Sequence, residues 1–598
     1  MSVEKFKEKY NITDEKIYML SKIFPDAFVD GKIDWTLMRQ SLGKFMVDGD
    51  DLNDFYGLLW PGKVKSQKLS FVPSSKCLNF IDTIGNNPEN VFCIGDNLEV
   101  LKVIKNAYVQ QVKMIYIDPP YNTGKDFVYV DNYQQTETEY LKDINASDDS
   151  GSKLQANPKT TGRFHSNWLS MMYPRLKIAR ELLKDDGIIF ISIDENEVMN
   201  LTLMMNEIFG EENFISHLIW QNKKGGGNDA RHLAVEHEYI LMYAKEKESV
   251  GHLFEEYSEK YLERYKEEDS VGKFYWDTFK RKSGKQYYSI TCPDGTIMDK
   301  DENGNPISWL RSEKRFKSDL EIGDVKIEKK GDKWGVYFKQ RLPAGKKPRS
   351  ILNQVGTTSD GNKENLEMFG SNIFDNPKPI SLIEYLIDIG TSDKDDIVLD
   401  FFAGSGTTGV ACLNKNRRFV IVQLPEYLDS NNKRQVSALK FCNENNIEAN
   451  LAELTKERIK RVIANLEKNL QEVRGVSVFK EEISEISEVM RKTKTQQDFF
   501  LEEINYENKE KLLWDIISKE GFPLSSNVNL LELGKNKVFE VTTDFSTMKL
   551  FICLDEAIKV ESVEEVLKED SHYLVCLDSS ISDNEKVILA DLGRIITI

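Results

Sequence analysis

Short apolar runs that stop at polar or glycine-rich corners recur along this chain. They include Val91–Ile94, Val112–Ile117, Gly187–Ile193, His217–Trp220, Tyr239–Tyr243, Ile397–Leu399 and Phe419–Val422. Most are largely continuous rather than alternating, as expected of buried strands. Between them, apolar residues return every three to four positions. Leu98, Val100, Leu101 and Ile104 follow the first run, and Trp168, Leu169, Met172, Leu176, Ile178, Ala179, Leu182 and Leu183 precede the third. Strand–helix–strand alternation predicts an α/β fold with a doubly wound, mostly parallel, Rossmann-like sheet.

Away from this core the pattern changes. Residues 1–85 read as a helical packing module, with Asp14 placed to cap a helix through Tyr18, Leu20 and Ile23, and Trp35, Met38 and Leu42 marking a second stripe. The polar stretch from Thr136 to Thr161 reads as a loop able to serve as a lid. From about 246 to 370 the periodicity weakens and aromatic and basic residues interleave. Beyond about 470 an acidic helical stretch leads to strands near Val538–Thr542, Lys549–Leu554, Tyr573–Leu577 and Arg594–Ile598, a small α+β module for protein contacts. The expected division is therefore 1–85, 86–245, 246–370, 371–470 and 471–598.

Length allows this: 598 residues suffice for several domains. No run of about 18 apolar residues predicts a membrane helix, and the charged N-terminus lacks the apolar core of a signal peptide. The seven cysteines and six histidines are scattered without a Cys-x-x-Cys pair. A structural zinc site or disulfide framework is therefore not expected, and a reducing prokaryotic cytoplasm fits. The formal net charge of −18 argues mildly against nucleic acid, but binding depends on local fields. Between Lys329 and Arg349 eight basic residues face one acid, Asp332.

Three stretches carry candidate chemistry. Val112–Ile117 ends in Asp118-Pro119-Pro120-Tyr121, where two prolines forbid continuation of the strand and stiffen the turn. That turn offers a carboxylate and a carbonyl as acceptors for an amino group, and a ring for a flat base to stack on. Asp400-Phe401-Phe402-Ala403-Gly404-Ser405-Gly406-Thr407 takes a strand through a glycine turn into a helix, letting backbone approach a ligand closely. It lacks the lysine of a phosphate loop, and its next strand ends at Gln423 rather than an acid, with Glu426 close by. Gly95-Asp96-Asn97 closes the first strand, where Asp96 suits a helix cap and a ligand contact alike. The basic residues Lys223 and Lys224 sit in a glycine-rich loop that suits phosphate or plain solvation. Lys280, Arg281, Lys339 and Arg341 suit a nucleic-acid surface or a solvated basic face.

Asp118 and Asp400 are 282 positions apart, yet a doubly wound sheet can bring two strand ends to one crevice where strand order reverses. Taken together, these motifs resemble the amino-methylating DNA methyltransferases in the permuted order of the β group. The resemblance includes His237-Glu238-Tyr239-Ile240-Leu241 and Phe374-Asp375-Asn376-Pro377-Lys378-Pro379. The wider frame resembles the modification (Mod) subunit of type III restriction–modification systems: Asp118 through Tyr129, Gln423-Leu424-Pro425-Glu426, and Ala452-Glu453 through Glu457-Arg458-Ile459.

That resemblance implies methyl transfer from S-adenosylmethionine to the N6 amino group of adenine in double-stranded DNA, with no metal. It implies that Asp118 and the Pro119 carbonyl, set by Pro120, accept the amino hydrogens while Tyr121 stacks on an extruded base. It further implies that Phe401, Ala403, Gly404, Gly406 and Thr407 line the methionine end with Lys378, that Asp96, Asn97, Asp400 and Gln423 belong to the cofactor site, and that residues 246–370 read the target. A separate helicase–nuclease restriction subunit and a homodimer are the implied partners. The alternatives are cytosine-N4 methylation, a solitary methyltransferase, an idle recognition subunit, and glutamine methylation in a protein.

Overall fold

The computed structural model describes residues 57–124, 164–225, 231–255, 257, 259–343, 345–469, 472–484, 486, 508–567 and 572–598, with five strands of two or three residues elsewhere. The expected helices near Asp14 and Trp35, the lid at 136–161 and the acidic stretch up to 507 lie almost wholly outside the described residues. Two compact units result: residues 1–251 with 349–598, and residues 252–348.

A ten-stranded sheet forms the centre of the larger unit. In chain order its strands are β1 (Lys76–Ile84), β2 (Pro88–Ile94), β3 (Val112–Ile117), β4 (Leu183–Ile193), β5 (Phe214–Trp220), β6 (Glu238–Ala244), β7 (Ile351–Leu352), β8 (Ile397–Asp400), β9 (Arg418–Gln423) and β10 (Gly475–Ile483). Their order across the sheet is β7-β5-β6-β4-β3-β8-β9-β2-β10-β1. The run from β4 through β3, β8, β9 and β2 to β10 is parallel. β6 is antiparallel to both β4 and β5, and β1 to β10.

The order reverses between β3 and β8. From β3 the chain moves outward to β4; from β8 it moves the other way to β9. Backbone carbonyls and amides at the carboxyl ends of these two neighbours therefore open into one crevice, the place where open α/β sheets bind ligands. Pairing of Ile397, Val398 and Leu399 with Val112, Met114 and Ile115 sets the Asp118 and Asp400 tips side by side.

Burial explains the strand sequences. Ile115 and Ile117 face a core shared with Leu98, Leu101, Trp168, Met172 and Leu176 from the helices Asn97–Tyr108 and Phe164–Leu182. Met114 faces the opposite side, where Gly390 of the helix Ile380–Gly390 lies so close that a Cβ there would stand 2.9 Å from its sulfur. Apolar residues on both faces give the continuous runs seen in the sequence.

Several boundaries differ from the expected ones. Residues 76–84 are not helical: they form β1 and pair with β10, so the first and last expected segments each give one strand to the central sheet. The strand expected from Gly187 starts earlier: Asp185, Asp186 and Gly187 lie inside β4, whose ladder already includes Leu183 opposite Val112. Residues 349–370 join the larger unit through β7 and the helix Thr358–Phe369. Five C-terminal strands and the short strand Glu4–Lys5 form a separate six-stranded sheet, and Trp514 is stacked 5.8 Å from Phe80 of β1. All seven cysteines are free and buried.

The smaller unit has a four-stranded antiparallel sheet, Glu267–Asp269, Gly272–Thr278, Lys333–Arg341 and Val325–Lys330, with the helix Glu313–Glu321. Phe279, Trp309, Phe316, Val336 and Phe338 form its core. Part of the aromatic–basic interleaving is thus the alternation of a small sheet with one buried face.

Candidate active site

The stiff turn after β3 is held from behind. Trp168 Nε1 donates to the Pro120 carbonyl at 2.6 Å. Asn122 adopts a left-handed φ of 57°, and its Nδ2 donates to Glu197 Oε1 at 2.5 Å. Glu197, fully buried, also holds His165 at 2.6 Å and Asn200 at 2.8 Å. Fixed in this way, the turn presents Asp118 and Tyr121 outward.

There they meet Lys378. Its Nζ donates to Asp118 Oδ1 and Oδ2 at 2.9 and 2.7 Å and to the Tyr121 hydroxyl at 2.9 Å. The ammonium lies 5.1 Å from the Tyr121 ring centre and 5.7 Å from that of Trp220. The Tyr121 hydroxyl reaches Asp118 Oδ1 at 2.9 Å and Glu238 Oε2 at 3.0 Å, and Asn222 Nδ2 holds Glu238 Oε1 at 2.7 Å. Burial by itself would lower the Lys378 ammonium, but the Asp118 and Glu238 carboxylates outweigh it and hold its pKa above the ordinary value. Burial first, then the same two carboxylates, push the Tyr121 hydroxyl well up.

Beside this cluster a cavity of about 280 Å³ is lined by Asp118, Phe374, Asn376, Lys378, Asp400, Ala403, Gly404, Ser405, Thr407 and Glu426, among others. Its volume is near the lower end of the roughly 300–1,000 Å³ typical of ligand pockets. Gly404 has a φ of 53°, and a Cβ there would meet nothing nearer than a carbonyl at 3.9 Å, leaving a bare backbone wall. Gly406 is different: at φ 75° it starts the helix Thr407–Asn414, and a Cβ would stand 2.8 Å from Thr455 Cγ2.

Asp400 accepts from the Phe402 amide at 2.9 Å and the Thr408 hydroxyl at 2.5 Å. Burial nonetheless pushes its carboxyl up to about 7, with Asp118 adding to the rise. Glu426, which also lines the cavity, is likewise raised by burial.

Other sequence candidates have supporting positions. Asp96 caps the helix Asn97–Tyr108 through the Leu98 and Glu99 amides. Asn97 bridges the Phe401 carbonyl and Arg175. Neither Asp96 nor Asn97 lines the cavity, and the Phe401 side chain lies in the core. Gln423 Oε1 accepts from the Gly404 amide at 2.6 Å, so it braces the glycine turn, while Glu426 supplies the acid on the cavity wall.

The glycine turn has a further support that motif reading did not assign. Arg458 is buried, and its Nη1 reaches the Ser405 carbonyl and hydroxyl and the Thr407 hydroxyl at 3.0–3.1 Å. Thr455 donates to the Gly404 carbonyl at 2.6 Å. The available signal was a cation on the apolar stripe Leu454, Ile459, Val462 of the helix Leu451–Lys468.

The basic candidates divide. Lys223, Lys224, Lys280 and Arg281 are exposed. Lys339 and Arg341 are instead clamped within the smaller unit: Asp269 accepts from both at 2.7 Å, and Asp324 accepts from Arg341 at 2.8 Å. Lys329, Lys333 and Lys346 pair with Asp294, Glu302 and Glu255. Five of the eight basic residues in that run therefore meet acids distant in sequence, and the local count overstated the available charge.

The family model described as DNA methylase (N6_N4_Mtase) matches residues 112–433, spanning the Asp118 turn, the cluster and the glycine turn. This chain belongs to that DNA methylase family. The methylase is 38% identical to the StyLTI Mod subunit of a type III restriction-modification enzyme from Salmonella typhimurium, over 64% of this chain and 58% of the relative. It is 36% identical to the EcoPI Mod subunit of Escherichia phage P1, over 68% of each chain, and 36% identical to the EcoP15I Mod subunit of Escherichia coli, over 62% of this chain and 65% of the relative. The matched regions thus span about three-fifths to two-thirds of these relatives. A solved structure of a DNA modification methylase from Thermus thermophilus aligns over 65% of this chain and 97% of its own at 14% identity, with a TM-score of 0.29. Among the described residues, no helix is long and apolar enough to cross a membrane.

Proposed function

We propose that this methylase transfers a methyl group from S-adenosylmethionine to the N6 amino group of adenine in double-stranded DNA, as the modification and recognition subunit of a type III restriction–modification system. The observation that carries the reading is the adjacency of the Asp118 turn and the Asp400 glycine turn on one cavity.

The residues fit the cofactor. Gly404 leaves the wall open to close approach, Asp118 and Asp400 place carboxylates where a cationic sulfur is favoured, and Glu426 offers an acceptor for hydroxyl groups. Bound there, the cofactor supplies an electrophilic methyl group. An aromatic amine is a poor nucleophile because its lone pair is delocalised into the ring. Asp118 and the Pro119 carbonyl accept the two amino hydrogens and draw the nitrogen toward tetrahedral geometry, within the reach that the stiff turn fixes. Tyr121 stacks on the extruded base. Lys378, seated on Asp118, yields its place to the incoming amino group.

The His252–Pro348 unit, with exposed Lys280 and Arg281, is the proposed reader of sequence, and Lys223 and Lys224 the proposed phosphate contacts. A separate helicase–nuclease subunit, a second copy of this chain and a cytoplasmic location complete the proposal. Mass spectrometry of DNA treated with the protein and S-adenosylmethionine tests it. N6-methyladenine lost on Asp118→Ala is expected; N4-methylcytosine as the sole product, or an unchanged yield from the variant, overturns it.

A further inference from the structure

Methylation of an amino group releases one proton, and the cluster around Tyr121 is short of one. Asp118 and Glu238 contribute two negative charges and Lys378 one positive, a sum of −1. Between the carboxylates stands a single phenolic hydrogen, 2.9 Å from one acceptor and 3.0 Å from the other by heavy-atom distance. A hydroxyl has one hydrogen and two lone pairs, so it can donate to one side while accepting from the other. The three oxygens therefore form a line along which a proton can pass.

We propose that Glu238 takes the product proton from Asp118 through the Tyr121 hydroxyl. This rests on the methyl-transfer reading above. The N–CH3 bond forms as the S–CH3 bond breaks, the electron pair of the latter staying on sulfur. The nitrogen loses a proton to Asp118 and keeps the N–H bonding pair. Asp118 passes a proton to the Tyr121 oxygen as the original phenolic hydrogen moves to Glu238 Oε2. Glu238, whose side chain is 18% exposed, then discharges to solvent. No further reactant is needed.

The surroundings suit this task. Asn222 fixes the far oxygen of Glu238 at 2.7 Å, leaving Oε2 aimed at the phenol. Lys378 lies 3.7 Å from Oε2, so on leaving Asp118 it has a second carboxylate to pair with. Other titratable groups coupled to this line are Tyr116, Asp194 and Asp400, each raised by burial first, with nearby carboxylates adding to the rise. Glu238 acts through Tyr121 and is a positioning residue rather than one that meets the base.

Single-turnover methylation across pH by wild type, Glu238→Gln and Tyr121→Phe is the test. Binding is followed separately by calorimetry with S-adenosylmethionine and by fluorescence of DNA carrying 2-aminopurine at the target. For Glu238→Gln the plateau rate should fall about 100-fold, and the pH–rate profile should change. Cofactor affinity and the fluorescence rise should remain. Tyr121→Phe should show the same loss, and the double variant should be no slower than the slower single one. An unchanged rate and pH profile in both variants overturns the relay while leaving the methyltransferase reading intact, as does a Glu238→Gln defect confined to base extrusion. Should Glu238→Gln fail to fold, Tyr121→Phe decides. Wild type without methylated product overturns the activity and the relay together.

Discussion

Replacing Asp400 by asparagine separates the electrostatic cost of the proposed cofactor crevice from its shape. The folded carboxyl has a pKa of about 7, against about 3.9 for an unfolded aspartate. The folded state thus holds the proton more tightly. Its stabilising effect is fully present below the unfolded pKa and is lost as pH rises through about 7. The full span is about 3 units, or about 4 kcal/mol at 1.36 kcal/mol per unit. Near the sequence pI of about 5.1 the net charge vanishes and association is favoured, so the comparison starts at about pH 5.5, where roughly half of that loss remains to occur. Denaturant midpoints for wild type and Asp400→Asn should therefore diverge by about 2 kcal/mol between about pH 5.5 and pH 8, wild type losing ground as pH rises. A divergence below about 0.5 kcal/mol would mean that Asp400 is ionised in the folded protein throughout, refuting the burial argument. The same reasoning links cofactor to proton. A sulfonium near Asp400 favours its ionised form, so S-adenosylmethionine binding near pH 6 should release a proton, and S-adenosylhomocysteine, a neutral thioether, should release less. Calorimetry in buffers of different ionisation enthalpy measures both.

Trp168→Phe should leave the Pro120 carbonyl without its indole donor, costing about 1–3 kcal/mol and lowering the methylation rate more than cofactor affinity; chemical denaturation and single-turnover kinetics check this. Gly404→Val should cost about 1–2 kcal/mol for a side chain at positive φ and abolish S-adenosylmethionine binding by filling the open wall, read by calorimetry. Lys280→Ala with Arg281→Ala should reduce the salt dependence of DNA affinity by roughly 1–2 in log–log slope. Lys339→Ala with Arg341→Ala should instead loosen the smaller unit, measured as earlier proteolysis within 252–348, because those cations are clamped by Asp269 and Asp324.

Much of the sheet and the reacting turn were legible because each depends on neighbours in sequence. Continuous apolar runs mark strands buried on both faces, and two prolines after Asp118 stop a strand wherever it lies. The smaller unit's charge was not legible in the same way. An ion pair depends on distance in space, and Asp269 and Asp324 reach Lys339 and Arg341 only after the strands pair. The contacts of Asp96, Asn97 and Gln423 were not legible either: motif position put them near the site, and only the fold shows them as a cap, a bridge and a brace.

Local sequence therefore determined which segments become strands, where they stop and which carboxylate and ring stand at the turn after β3, since short-range sterics and burial periodicity act before tertiary contacts form. Tertiary structure decided that Lys378 would sit on Asp118, that Glu238 would share the Tyr121 hydroxyl, and that buried Arg458 would hold the glycine turn. Those contacts join residues up to 260 positions apart. Their geometry exists only once the strand order of the mixed sheet places β3, β6 and β8 together, and a pattern confined to one element holds no information about that order.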